Sequence, residues 1–272
     1  MQSKVDLAYE PLIEASGLAK QFGSVQALMN LNLRVMPGEI YGLLGPNGAG
    51  KTTTIKTILG LLEPTSGWIK VGGFDPAENP IEVKSKIGYV AENPIVYDSL
   101  SPRDFLEFVS SVRKTDQTCT NQLVTQLANA FDMANYFDSP IATLSLGMKQ
   151  KVAIIAALIH QPLVLLLDEP LNGLDAKSSR IVKELVSFHA EKGGAVLFST
   201  HIMEVAEQVC TRIGIIDQGK VIAEGTLSQL KSKTEGKGSS LEEVFLKLTH
   251  EEDEVADTTR MLREIILKNE IS

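Results

Sequence analysis

The chain has 272 residues, a formal net charge of −8 and a pI near 5.2, and 43% of its residues are hydrophobic. That length and apolar content support one large core, or a core with an appended subdomain, and exclude global disorder. The acidic balance leaves no basic stripe for a nucleic-acid backbone, so nucleic acid is not expected as a partner. Cys119 and Cys210 lie far apart without metal-type spacing, which fits a reducing compartment and buried or idle thiols.

Met1 to Leu7 lacks the apolar segment and cleavage site of a secretion signal. Leu12 to Met36 reads as β-structure, with Leu31, Leu33 and Val35 alternating against Asn32 and Arg34, and Pro37-Gly38 closes it as a turn. Glu39 to Leu44 is a strand. After a glycine-rich loop, a helix is expected to run to about Leu62 and stop at Glu63-Pro64-Thr65-Ser66-Gly67. Trp68 to Val71 and Ile87 to Val90 are two further short strands.

Between about 93 and 160 strand signals vanish and helical periodicity takes over, which predicts a helical insert. Ser101-Pro102-Arg103-Asp104 is a helix start with an N-cap serine, followed by Phe105, Leu106, Phe108, Val109 and Val112 on one face. Asn121 to Phe131 continues the pattern. Val152 to Leu167 is the longest apolar region, but His160, Gln161 and Pro162 break it into pieces too short to cross a bilayer. Its second piece, Leu163 to Leu167, is apolar at every position, as in a strand covered on both faces of a parallel sheet. A helix at about Ala176 to Lys192, a strand at Ala195 to Ser199, a short helix at Ile202 to Cys210 and a hairpin from Ile213 to Ala223 turning at Gln218-Gly219 follow. Lys231 to Ser240 reads as a loop, with helices at about 241–249 and 255–268; the acidic run Glu251 to Glu254 suits the start of the second. Strands alternating with helices give an α/β fold.

The chain is organised around Gly45-Pro46-Asn47-Gly48-Ala49-Gly50-Lys51-Thr52-Thr53, which fits G-x-x-x-x-G-K-[ST] between a strand and a helix. Glycines there let successive backbone N–H groups face a phosphate, and the helix N-terminus adds partial positive charge. Lys51 would neutralise the β- and γ-phosphates, and the Thr52 hydroxyl would ligate Mg²⁺. Asp168 ends a buried strand, where open α/β sheets put their ligands, and suits a Mg²⁺ partner for Thr52. Its neighbour Glu169 can act as general base on the water that attacks the γ-phosphate. His201 ends another strand at the same sheet edge and is a candidate γ-phosphate sensor. His160, His189 and His250 have no such placement and read as structural.

With these residues the chain resembles the nucleotide-binding subunit of ABC transporters over roughly Leu12 to Gly225. Gly45 to Thr53 looks like that family's Walker A loop and Leu163 to Glu169 like its Walker B strand. Leu144-Ser145-Leu146-Gly147-Met148 looks like the signature motif, Pro170 to Asp175 like the D-loop, His201 like the switch histidine, and Phe22 like the aromatic that stacks on adenine. Standing alone, Leu144 to Gly147 would read as an N-capped helix start; Ser145 and Gly147 offer a hydroxyl, bare backbone and a helix N-terminus to an anion. Leu146 and Met148 stand where the family has glycine and glutamine. Glu92 stands where the Q-loop has glutamine, and its carboxylate would ligate Mg²⁺ more strongly than an amide.

The resemblance implies a P-loop ATPase core with a mostly parallel sheet, an N-terminal antiparallel β-subdomain, an inserted helical subdomain and a helical C-terminal tail. It divides the chain into a nucleotide-binding domain at 1–230, with the helical insert at 93–160, and an extension at 231–272. It implies ATP and Mg²⁺, and catalytic roles for Lys51, Glu169 and His201. Phe22, Gly45 to Thr53, Ser145, Gly147 and Asp175 would contact nucleotide, and Thr52, Glu92 and Asp168 the metal. It further implies head-to-tail pairing with a second copy or a homologous ATPase subunit, and a separate integral membrane subunit, with export as the direction. The chain would then be cytoplasmic and peripheral to the inner face of the membrane. The apolar residues Pro94, Ile95, Val96, Tyr97 and Leu100 are the expected partner surface. The alternative is a soluble ABC-type ATPase of DNA repair or translation with no membrane partner, but such members usually carry coiled-coil inserts or two fused units, and neither is found here.

Overall fold

A computed structural model of the chain describes residues 10–232, 240–249, 257–262 and 266. The strands sort into two sheets. β1 (Ile13–Phe22) pairs antiparallel with β2 (Val25–Val35) on one side and with β4 (Ser66–Val71) on the other. This is the expected antiparallel N-terminal unit. The second sheet has the order β5-β6-β7-β3-β8-β9, built from β3 (Ile40–Leu44), β5 (Ile87–Val90), β6 (Val164–Asp168), β7 (Ala195–Thr200), β8 (Arg212–Asp217) and β9 (Lys220–Gly225). All its pairs are parallel except the β8–β9 hairpin. That hairpin turns where expected, at Gln218 (φ 44°) and Gly219 (φ 76°), the two positive values that a tight primed turn demands.

Every residue of β3, β6 and β7 is buried, which explains their unbroken apolar runs. On one face the sheet meets the antiparallel unit and α1 (Lys51–Ile58), in a core of Leu18, Leu28, Leu43, Ile55, Ile58 and Leu166. On the other it meets the helical insert, through Phe105, Leu127, Phe131, Val152, Ile155, Leu165 and Phe198. The insert consists of α3 (Pro102–Arg113), α4 (Gln117–Ala130) and α5 (Leu146–Leu158), in contact with one another, while α2 (Pro80–Lys86) leads into β5. α6 (Ala176–Glu191) and α7 (Met203–Val209) flank β7. α8 (Leu227–Ser232) and α9 (Leu241–Leu248) bury Leu230, Leu241, Val244 and Phe245 against Ile213, Ile215 and Ala206.

Several boundaries differ from expectation, β4 for instance beginning at Ser66 and not at Trp68. α1 stops at Ile58 rather than near Leu62, because Gly60 takes a left-handed φ of 68° and turns the chain away. α4 begins at Gln117 rather than Asn121, with the Asp116 carboxylate accepting from Cys119 N. Lys231 and Ser232, expected in a loop, belong to α8, and residues 233–239 of that expected loop lie outside the described residues. The acidic run 251–254 and His250 lie outside the described residues, as does half of the helix expected at 255–268; residues 257–262 and 266 are helical. The helix start at Ser101 has a full capping box, with Ser101 Oγ accepting from Asp104 N and the Asp104 carboxylate accepting from Ser101 N. Among the described residues no helix is long and apolar enough to cross a membrane.

Candidate nucleotide site

Parallel pairing makes β3, β5, β6 and β7 end at one edge: Leu44 lies beside Thr200, Asp168 beside Ser199, and Val90 beside Leu167. The loop 45–50, Glu92, Glu169 and His201 all leave from that edge, where doubly wound sheets bind ligands. Side-chain contacts then join them. Lys51 is 7% exposed; its Nζ donates to Gly45 O (2.7 Å) and Pro46 O (3.1 Å) and lies 3.9 Å from Glu169 Oε1. His201 Nδ1 donates to the same oxygen at 2.8 Å. Burial pulls the Lys51 pKa below its ordinary value, and the carboxylates of Glu169, Asp168 and Glu92 oppose that pull. Glu92 itself is exposed, two residues beyond the end of β5 at Val90, and its field reaches both Lys51 and Tyr89.

The loop has the form its glycines imply. A Cβ on Gly45 would lie 2.2 Å from Ile216 O, and one on Gly50, at φ 110°, would lie 2.8 Å from Ala27 O. Only glycine therefore lets the loop sit this close to β8 and β2. Ala49 O accepts from Gly219 N, and Gly219 O accepts from Met29 N, which ties the loop to the β8–β9 turn and the antiparallel unit. Among the described residues, the N–H groups of Lys51, Thr52 and Thr53 at the start of α1 find no acceptor in the chain. Those orphan donors and the Lys51 ammonium suit the oxygens of a polyphosphate.

Asp168 is 1% exposed and Glu169 is 6% exposed. Ser199 Oγ donates to Asp168 Oδ1 at 2.5 Å, while the buried Asp168 Oδ2 has no hydrogen-bond partner among the described residues. A buried carboxylate oxygen left without a donor fits a cation or its water, so the residues suit Mg²⁺. Glu169 adopts φ 47°, a left-handed conformation uncommon outside glycine.

The other expected residues stand apart. Ser145 is the N-cap of α5, its Oγ accepting from Met148 N at 3.3 Å. Gly147 faces the loop after β6: a Cβ there would meet Gly173 O at 2.2 Å. Among the described residues no hydrogen bond or ion pair joins Ser145 or Gly147 to Gly45–Thr53 of the same chain. Asp175 caps α6, accepting from Ser178 N and Ser178 Oγ and from Lys151 Nζ (3.0 Å), contacts that hold its carboxyl well below the usual range. Phe22 ends β1 with its ring 45% exposed and the Lys20 ammonium 5.1 Å from the ring centroid. Of the expected partner surface, Ile95 and Tyr97 are exposed, whereas Val96 and Leu100 pack against the core below α3. His160 and His189 are partly buried, and burial lowers the pKa of both. Of the thiols, Cys210 is largely buried but Cys119 is exposed, so burial does not account for both.

Sequence reasoning missed Ser199, Gln150 and Lys151. Gln150 Nε2 donates to Pro170 O (3.2 Å), so with Gly147 and Lys151 it holds the start of α5 against residues 170–175. A serine inside Ala195–Thr200 carries no period of its own, and Lys149-Gln150-Lys151 looks like a solvent face.

Comparison with known proteins agrees with this geometry. The family described as ABC transporter matches residues 28–172, more than half of the chain. The probable multidrug ABC transporter ATP-binding protein YbhF of Escherichia coli is 38% identical over 247 residues, 90% of this chain but only 43% of its own length. A solved ATP-binding subunit of an ABC transporter superposes with a TM-score of 0.84 at 33% identity, covering 88% of this chain and 99% of that one. The ATP-binding cassette MJ0796, in a dimeric post-hydrolysis state bound to ADP and phosphate, gives 0.71 at 26% identity over 79% of this chain and 98% of that one. The chain therefore belongs to the ABC transporter family.

Proposed function

We propose that the chain drives a separate integral membrane subunit, exporting substrate, through ATP-dependent head-to-tail closure with a second copy or a homologous ATPase subunit. The observation that carries this reading is the division of the site. Lys51, Asp168, Glu169 and His201 converge at one sheet edge, while Ser145 and Gly147 have no bond to the phosphate loop of their own chain. A second copy would bring the start of its α5, with Asp175 at the seam, over that loop. Export rests on the likeness to the multidrug protein. The nucleotide-binding domain would span 1–230, with the insert at 93–160 and an extension at 231–272.

In this reading Phe22 stacks on adenine, and the backbone of Gly45–Thr53 holds phosphate oxygens, with Lys51 giving up its two carbonyls for them. Thr52, Glu92 and Asp168 hold Mg²⁺, which supplies charge neutralisation on those oxygens. Glu169 takes a proton from the attacking water, and His201 fixes Glu169 through Nδ1 while facing the γ-phosphate. The membrane subunit docks from the cytoplasmic side beside Glu92, on Ile95 and Tyr97 and the neighbouring groove of about 1030 Å³ walled by Leu61, Ile81, Val112 and Leu123.

Glu169→Gln tests the hydrolytic assignment. ATP binding should persist, turnover should fall by about 100- to 10,000-fold, the usual worth of a general base, and an ATP-trapped dimer should appear on gel filtration. Turnover near that of the unaltered chain would remove Glu169 from the chemistry. A cysteine at exposed Ile95 should crosslink to a co-expressed membrane subunit; an active complex without the crosslink would move the docking surface elsewhere.

A further inference from the structure

We infer that Ser199 is a positioning residue for both acids at the end of β6, fixing which oxygen of Asp168 is left for the metal and holding Glu169 in its left-handed turn. The inference rests on the reading of Asp168 and Glu169 as metal ligand and general base, and adds a residue that touches neither ATP nor metal.

Ser199 is fully buried on β7, directly across the ladder from Asp168. A hydroxyl has one proton, and here it goes to Asp168 Oδ1 at 2.5 Å, the short distance of a charge-assisted bond. Its lone pair accepts from Glu169 N at 3.3 Å, and the Ser199 carbonyl accepts from that same N–H at 3.2 Å. One residue thus makes the chain Glu169 N–H to Ser199 Oγ–H to Asp168 Oδ1. With Oδ1 taken, Oδ2 is the only Asp168 oxygen free to meet a cation, and it is the buried atom without a partner. With its N–H anchored twice, Glu169 can keep φ 47°, a strained value that persists only where surrounding contacts impose it. From that backbone its carboxylate reaches His201 and Lys51.

Ser199→Ala removes the donor and the acceptor without adding volume. Loss of the partner that orients a metal-ligating carboxylate ordinarily costs about 10- to 100-fold in metal affinity or activity. We expect Mn²⁺ binding to the full chain with ADP, followed by electron paramagnetic resonance, to weaken by about tenfold or more. Affinity for ADP in EDTA should stay within about twofold, and kcat for ATP should fall while KM hardly moves. Ser199→Thr, which restores the hydroxyl, should recover most of both losses. Unchanged Mn²⁺ affinity and kcat in Ser199→Ala would overturn the inference, as would a failure of Ser199→Thr to recover either. If Ser199→Ala also loses ADP binding in EDTA, Ser199→Cys decides. Loss confined to Mn²⁺ and kcat supports positioning, and parallel loss of all three refutes it. Asp168→Asn and Glu169→Gln run beside these variants, and their retaining turnover would instead refute the reading on which the inference stands.

Discussion

Gly147→Ala should destabilise the nucleotide-free chain although it puts a better helix former into α5. The added Cβ would lie 2.2 Å from Gly173 O, so α5 and the 170–175 loop must separate by about 1 Å to regain an ordinary contact. That movement takes Gln150 Nε2–Pro170 O, now 3.2 Å, and Lys151 Nζ–Asp175 Oδ2, now 3.0 Å, beyond hydrogen-bond range. A neutral bond is worth about 1 kcal/mol and one to a charged group about 1.5–3 kcal/mol, while alanine over glycine returns at most about 1 kcal/mol. The net loss is about 2 kcal/mol, or a Tm lowered by about 4–8 °C for a chain of this size. Circular dichroism melts without nucleotide measure it, and hydrogen exchange at Asn172 and Leu174 should quicken at the same time. A Gly147→Ala protein that melts within about 1 °C of the unaltered chain, or above it, would refute the argument that this contact locks α5 to the loop.

His160 carries a pKa lowered to about 4 by burial and by the Arg113 charge, so the unfolded chain binds the extra proton between about pH 4 and 6.5. Its stabilising neutrality is intact above pH 6.5 and fades as pH falls, by about 2 kcal/mol at pH 5. Urea melts at pH 7 and pH 5 should therefore show a smaller acid loss in His160→Gln than in the unaltered chain. Cys119 is exposed whereas burial pushes the Cys210 thiol up to about 12, so a thiol reagent at pH 8 should titrate one group in the native chain and two in urea. Two fast groups in the native chain would contradict the packing of Cys210. Ser101→Ala should cost about 1 kcal/mol by opening the capping box of α3, seen as a lower urea midpoint with unchanged slope.

Much of the fold was legible because burial on both faces leaves an unmistakable pattern. Leu163–Leu167 could only be an interior strand, and Asp168 and Glu169 had to emerge at its end. The glycine loop was legible for a related reason, since its residues are dictated by backbone geometry and phosphate chemistry together. What escaped depends on partners distant in sequence. Ser199 meets Asp168 across 31 positions, and Lys151 meets Asp175 across 24, so neither contact leaves a local trace. The early stop of α1 escaped because Leu61 and Leu62 extend its apolar pattern, whereas the φ of Gly60 decides the matter. The first turn of α4, Gln117-Thr118-Cys119-Thr120, has no apolar period, and its cap at Asp116 is the only sign of it.

The edge of the larger sheet bears on how this chain behaves in a crowded cell. β5 is an outermost strand, and an open strand edge invites another polypeptide to add itself to the ladder. Here the strand is four residues long, and the first of its carbonyls, on Ile87, already accepts from His160 Nε2 and from the Arg113 guanidinium, which also takes Lys84 O just before it. A strand arriving from a neighbouring molecule would have to evict two side chains to gain one bond. The border of the larger sheet is thus partly occupied at its first carbonyl by side chains from the insert that packs beside it.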